Sequence, residues 1–519
     1  MLEKLNVKMK YCIAFYFVVT LTYKVNSQNF NRPTNKYLYG YEFELLDSTF
    51  KDYVLTVPFH FRAFGPGGKS TGSPPIILDK HGYVAMYYVT ELDFLPMFKY
   101  YEKQNKFSMA QVYTGSIIKG DIHYFILDDK FNVIDTVINS PGIDTEGHEF
   151  HLLDNGNRIL AGQVMDTVDL SNDTIGGQLG FDSTVLRGFV IEEFDSLNKL
   201  LFQWNSNDYV PPSESNLLNG YDRFDFDYCH GNAIEKDKNG DYYVSLRNTN
   251  SVYKINGRTG KVIWKLGGVN SSFSFDNDSG FSGQHDIRIL DNGNLTVFDN
   301  GNTRLPTKYS RALEFSLDTI NMRANIEWEY VETGNAYSRA MGNHETSKER
   351  HHLINYGATL RPFPSISVCD DQKNDLCRVY FKDSVVSYRS QLMTGNFDLN
   401  RPTLSCERNN GKLLLHLDSS YSEVIWSTDE SSLAIEITTS GTYQAWVRRG
   451  NAMIGSFPVI INDVNEYCSS VSISSIELER KETINAYYNA LGQPINIDQH
   501  HGFYLEQDQS GDLNKKYKP

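Results

Sequence analysis

The sequence has 519 residues, with 49 Lys and Arg against 64 Asp and Glu and a formal net charge of −15. A chain this long exceeds one ordinary domain, and so acidic a balance excludes a nucleic-acid binder, which needs a basic face. Tyrosine and phenylalanine are abundant (33 and 30) and tryptophan is scarce (5), a composition that favours strands.

Met1–Lys10 carries lysines, Tyr11–Tyr23 is mostly apolar, and Val25-Asn26-Ser27 offers a cleavage point. That is the order of a secretory signal peptide, expected over residues 1–27, and its apolar core is too short for a permanent span. The plain alternative is a buried N-terminal helix. The signal predicts export, to the cell surface or medium, or to the periplasm if the C-terminal signal does not function; no later run reaches transmembrane length, so no transmembrane segment is expected in the mature chain.

An internal repeat organises residues 34–397. Its core is a turn of the Asp-Asn-Gly type between two β-rich runs: Ile76–Ala85, His151–Leu160, Ala233–Val244 and Ile287–Val297. The turn needs φ > 0, which glycine supplies. A second hairpin follows several copies, most clearly Val252–Ile255, Asn256–Gly260 and Lys261–Trp264. Two hairpins make a four-stranded sheet, and repeated sheets close into a β-propeller of about six blades.

After Pro402 the texture changes to short alternating strands, such as Leu413–Leu417 and Tyr443–Val447. Residues 402–465 are expected to form a small immunoglobulin-like sandwich. Residues 471–519 contain Asn489-Ala490-Leu491-Gly492-Gln493, then Gly502-Phe503-Tyr504, then Lys515, Lys516 and Lys518. This order resembles the C-terminal sorting signal of type IX secretion, which implies the secretion machinery as a partner.

Six cysteines are present. Cys12 leaves with the signal. In an oxidising compartment Cys369–Cys377 and Cys406–Cys468 are reasonable disulfides, leaving Cys229 as the odd one.

Histidines stand just before the first strand of successive repeats: His148, His230, His285 and His344. In a propeller such positions face a central channel, so repeat-registered histidines converge on one site. For any one of them, the alternative is a packing histidine bonded to nearby backbone. Arg247, Arg304, Arg311 and Arg339 accompany the set, and forked cations suit a tetrahedral oxyanion. Surface arginines on strand edges are the alternative. A near phosphate-loop at Gly68-Lys69-Ser70 lacks its first glycine and runs into Pro74-Pro75, and Asp276–Gly280 lacks the distal glutamate of a calcium loop.

His230-Gly231-Asn232-Ala233, Ser245-Leu246-Arg247, Trp264-Lys265-Leu266-Gly267-Gly268, Phe281-Ser282-Gly283-Gln284-His285-Asp286 and Phe298-Asp299-Asn300-Gly301 occur in one order and spacing. Over about Cys229–Tyr356 this resembles the bacterial arylsulfotransferase family. The resemblance implies a six-bladed propeller that moves a sulfuryl group from an aryl sulfate to a phenol through a sulfohistidine, with no nucleotide cofactor; no other cofactor is expected, and the cysteine spacings are not those of a zinc site. His344, His285, His230 and Arg304 are then the catalytic set. His344 is the candidate nucleophile, with His351 and His352 as rivals. Arg247, Asn232, His352 and Arg339 are expected on the substrate. The second reading is an inactive secreted propeller serving as a binding or adhesion module. A quinone-dependent dehydrogenase ranks last, for want of repeated tryptophan-docking motifs.

Overall fold

The computed structural model describes residues 30–60, 74–89, 94–114, 121–394, 397, 399–465, 486–488, 502–507 and 513–518. The chain is all-β, and helix among the described residues is confined to single 3-10 turns such as Arg247–Thr249. It divides into two units.

In the first unit antiparallel sheets follow one another along the chain. Phe94–Tyr101 leads a sheet continued by Lys106–Thr114, Asp121–Leu127 and Val133–Val137. Asp144–Leu152 leads the next, with Arg158–Val168, Thr184–Phe194 and Leu200–Asn205. Gly231–Lys236 leads a third, with Tyr242–Leu246, Ser251–Ile255 and Val262–Gly267. His285–Ile289 leads a fourth, with Leu295–Asp299, Arg311–Asp318 and Arg323–Tyr330. Asn343–Thr346, His352–Asn355, Ile366–Cys369 and Asp375–Phe381 form the next sheet, and Tyr41–Leu45 adds to its outer edge. Val385–Met393 then pairs with Tyr53–His60, which pairs with Ile76–Leu78.

The leading strands touch in a closed circuit, each against the next and the last against the first. The arrangement is propeller-like, and chain-end strands complete late sheets. The Asp-Asn-Gly turns take the conformation the sequence asks of them, with Gly156, Gly240 and Gly293 at φ between +83° and +88°. Apolar side chains fill the space between neighbouring sheets: Ile159, Ile191 and Trp204 pack with Ile234, Val244 and Tyr253, and Ala233, Val252 and Leu266 with Ile287, Val297 and Leu313.

The second unit gathers residues 33–36, 83–89 and 398–519. Val84–Tyr88 pairs with Ala452–Gly455, which pairs with Ala445–Arg449, which pairs with Val424–Trp426. Leu404–Asn409, Lys412–Leu417 and Ala434–Ile437 form another sheet, and Leu415, Trp426 and Val447 share one core. Tyr83-Val84-Ala85, a strand in the repeat reading, does begin a strand, Val84–Tyr88, and that strand is grouped with this unit. Trp446 Nε1–H donates to Val84 O at 3.0 Å and the Gln444 amide to the same oxygen at 2.9 Å, tying that strand in place. Three further strands, Ala486–Tyr488, Gly502–Gln507 and Leu513–Lys518, pair in antiparallel order. The proposed sorting turn at 489–493 and the signal peptide at 1–27 lie outside the described residues.

Cys369 and Cys377 are both free and buried, against the expected disulfide. The hairpin register pairs Val368 with Cys377 and, after a β-bulge, Cys369 with Asp375, so the two cysteines are not cross-strand partners. Cys369 packs with Trp328 and Tyr356 on its own side. Cys406 is half-buried, and its expected partner Cys468 lies outside the described residues. Cys229 is buried against Ser206, and burial pushes its thiol up to about 12, so it stays protonated and inert.

Candidate functional site

The leading strands of the first unit surround a cavity of about 790 Å³. His148, His230, His285, Arg247 and Arg339 line it, together with Tyr388 and Arg187, which the sequence reading did not single out. Met97, Ile122, Phe189, Leu218 and Met341 supply an apolar wall. That size and mixture suit a small aromatic ligand with one charged end.

His230 stands at the head of its strand with φ +48°, a left-handed conformation costly for a side-chain-bearing residue and retained here beside the cavity. Gly231 follows because a Cβ there would collide with the Phe189 ring at 2.3 Å. Asp227 Oδ2 lies 2.5 Å from His230 Nδ1. Burial by itself raises the Asp227 carboxyl, but the His230 imidazole and Arg187 hold it well below the usual carboxylate range. An ionised carboxylate only accepts, so His230 Nδ1–H donates and Nε2 is left towards the cavity. His148 is held the same way by Glu146, through its Nδ1 and its backbone N–H. The two rings meet edge to face with centroids 5.1 Å apart.

His285 differs. Asn300 donates its amide to Ser338 O and Met341 O, so its Oδ1 accepts from His285 Nδ1–H at 2.8 Å. His285 Nε2 then accepts the Met341 N–H at 3.2 Å. Burial, and next Arg247, hold this imidazole well below its ordinary range, so it is neutral with both nitrogens engaged.

Arg247 is 8 % exposed. Its Nη1 donates to Asn219 Oδ1 and Asn248 Oδ1, each at 3.0 Å, and Nη2 to Arg339 O at 3.3 Å. Among the described residues no carboxylate forms an ion pair with it, Asp227 acting on it only at longer range, and its Nε–H is buried without a partner. A buried guanidinium held by neutral oxygens is poised for an anion. Arg187, by contrast, is doubly bonded to Asp225.

Other expected site residues lie elsewhere. His344 is wholly buried between sheets, its Nδ1–H donating to Leu313 O at 3.2 Å, and it does not line the cavity. The hairpin register explains this. His344 sits two residues before the last pair of its hairpin, Thr346 with His352. Ile234 and Ile287 hold that place in their hairpins, and both are core residues. His352 Nδ1 lies 3.0 Å from His344 Nε2, and its ring stacks on Trp328 at 3.8 Å. His351 bonds Asp52 at 2.8 Å. Arg304 is bound to Asp299 at 2.6 Å and stacks over Tyr309, while its neighbour Asn302 reaches the cavity. Arg311 is paired with Asp278, Asp299 and Glu329. Asn232 is buried and donates to Gln284 O at 2.8 Å.

The His344–His352 pair carries a pH signature. Burial holds both imidazoles below the ordinary histidine value of 6.5. The unfolded chain therefore binds more protons, so the pair's stability contribution is full above pH 6.5 and is lost as pH falls below it. Thermal melts taken from pH 7.5 down to 5 should show a falling Tm. The fall should flatten in His344→Gln, and an unchanged profile there would remove the pair as its source.

A second buried cluster runs along the same strands. Glu149 Oε2 accepts from Arg288 at 2.8 Å and Arg389 at 2.9 Å, with Lys99 and His151 close to its other oxygen. Arg288 also pairs with Asp286 at 2.5 Å. The cluster alternates with the cavity along each strand: His148 with Glu149, His285 with Asp286, Tyr388 with Arg389. One residue faces the cavity and its neighbour anchors the strand.

Residues 120–363 match the arylsulfotransferase (ASST) family model. Apart from Met97 and Tyr388, the cavity lining falls within this arylsulfotransferase-matching segment. Among solved structures, a protein of unknown function from Bacteroides caccae is 11% identical with a TM-score of 0.39, over 66% of this chain and 100% of that one. Virginiamycin B lyase from Staphylococcus aureus is 11% identical with a TM-score of 0.31, over 71% and 97%. The Cps50 (Swd1) β-propeller domain of Myceliophteria thermophila is 9% identical with a TM-score of 0.30, over 71% and 98%. No curated protein matches the chain.

Proposed function

We propose that this protein transfers the sulfuryl group of an aryl sulfate to a phenol, with His230 carrying the group between the two. The observation behind this is Arg247, a buried guanidinium with no ion-paired carboxylate among the described residues, near the His230–Asp227 pair in a cavity with an apolar wall. The family match points the same way.

In the first half-reaction His230 Nε2 attacks sulfur, the N–S bond forms, the S–O bond breaks, and the aryl oxygen takes the electron pair. Arg247 neutralises charge on the sulfuryl oxygens, where a fixed cation is worth most. His148, oriented by Glu146, protonates the departing oxygen and in the second half takes the proton of the accepting phenol. Asp227 stabilises the positive charge His230 acquires. His285, with both nitrogens engaged, shapes the wall. His230 thus takes the role that the family resemblance gave to His344. We read the closed circuit of sheets as a six-bladed propeller and the chain as exported, on the lysine-then-apolar order of its first residues.

The test is release of nitrophenolate from 4-nitrophenyl sulfate by the purified chain with phenol as acceptor. Release should depend on phenol, and Arg247→Met should lower kcat/KM by about 100- to 1,000-fold. No release across a panel of phenols would overturn the reading in favour of a binding propeller.

A further inference from the structure

Tyr388 lies on the strand Val385–Met393, outside the arylsulfotransferase-matching segment. It is 5 % exposed, lines the cavity, and its hydroxyl is buried without a hydrogen-bond partner among the described residues. A buried hydroxyl left unbonded costs stability, so a position that keeps one has a use for it. The ring is fixed on several sides. It meets His148 edge to face with centroids 5.5 Å apart and His285 at 6.5 Å. The Arg389 guanidinium covers it at 5.3 Å. The Tyr388 carbonyl accepts from Gly342 N–H and the Asn355 amide, each at 3.0 Å, which pins the backbone. Burial pushes the phenol above its ordinary range, so it remains a neutral donor.

We propose that Tyr388 is a catalytic residue that donates a hydrogen bond to the aryl oxygen of the substrate. This rests on the sulfuryl-transfer reading. The aryl oxygen is assigned because Tyr388 packs against His148, the residue that exchanges a proton with that oxygen, whereas Arg247 serves the sulfuryl end. As the S–O bond breaks, the electron pair moves to the aryl oxygen. His148 delivers its proton there, and Tyr388 keeps its own while its hydrogen bond tightens onto the growing negative charge. On the return step the same O–H orients the acceptor phenol.

The test is Tyr388→Phe, which keeps the ring and its packing. With aryl sulfates of graded leaving-group pKa, kcat should fall about 10- to 100-fold for phenyl and 4-methylphenyl sulfate, the kinetic equivalent of one hydrogen bond to a charged oxygen. It should fall far less for 2,4-dinitrophenyl sulfate, whose leaving oxygen needs little help. A uniform loss across the series would overturn the proposal, since misfolding or general loosening has no reason to follow leaving-group basicity. Binding supplies the arm that does not need turnover. Titrated with 4-nitrophenolate, Tyr388→Phe should bind about 10-fold more weakly than the natural chain. Equal affinity would overturn the role of Tyr388, whereas weaker binding by a chain that turns over no aryl sulfate would overturn the transfer reading and leave Tyr388 a phenol-oxygen donor.

Discussion

His230→Ala is expected to lower kcat for sulfuryl transfer by about 1,000-fold or more, because removing a nucleophile leaves only binding and electrostatic assistance. The loss should come with loss of the covalent intermediate. A radiolabelled sulfuryl group from an aryl sulfate should remain on the natural chain when acceptor is withheld, in an acid-labile linkage, and should be absent from the variant. Added imidazole should restore part of the turnover by entering the space the side chain leaves. Two controls sharpen the assignment. His344→Ala should retain labelling, since that ring lies between sheets against Trp328, and its effect should fall on thermal stability. His148→Ala should label yet return the group slowly to phenols of high pKa, as a lost base would require. Labelling that survives in His230→Ala and vanishes in His344→Ala would reverse the assignment.

The second large effect is on stability. Glu149 is 0 % exposed and sits between Arg288, Arg389 and Lys99. Burial by itself raises its carboxyl, but the two guanidiniums hold it well below the usual range, so it is ionised. Removing one partner from such a cluster leaves uncompensated buried charge and costs about 3–5 kcal/mol. Glu149→Ala should therefore lower the urea midpoint by that equivalent. Exchanging Glu149 and Arg288 together for apolar residues should cost less than the sum of the single changes, because less charge is left unpaired. A Glu149→Ala midpoint within error of the natural chain would mean that water or strand movement solvates the freed cations.

Much of the fold was legible because turn chemistry recurs. Asp-Asn-Gly fixes hairpin ends, and the ends fix which residue of each strand faces inward. The same counting holds the information on the site. His148 and His285 each stand five residues before the leucine of a Leu-Asp-Asn-Gly turn, at Leu153 and Leu290. His344 precedes Ser347-Lys348-Glu349-Arg350, which is no such turn, and counting to the true hairpin end assigns it to the core. Asp227 and Glu146 were invisible as partners because nothing local distinguishes a carboxylate that orients a histidine from one in water. Tyr388 lies on a strand with no Asp-Asn-Gly turn, paired to the far upstream Tyr53–His60. No local pattern places it beside His148. Ala452–Gly455 pairs with Val84–Tyr88 from more than 360 positions away, a partnership no local pattern announces.

The stack of Trp328 on His352 also makes the molecule its own optical indicator. An imidazolium at van der Waals distance quenches indole emission far more than a neutral imidazole does. Of the five tryptophans, Trp328 is the one that stacks on histidines among the described residues. Acidification that opens this layer should dim its emission before the remaining tryptophans respond. The order of those changes would time the opening of one propeller sheet against the loss of the whole, without any added label.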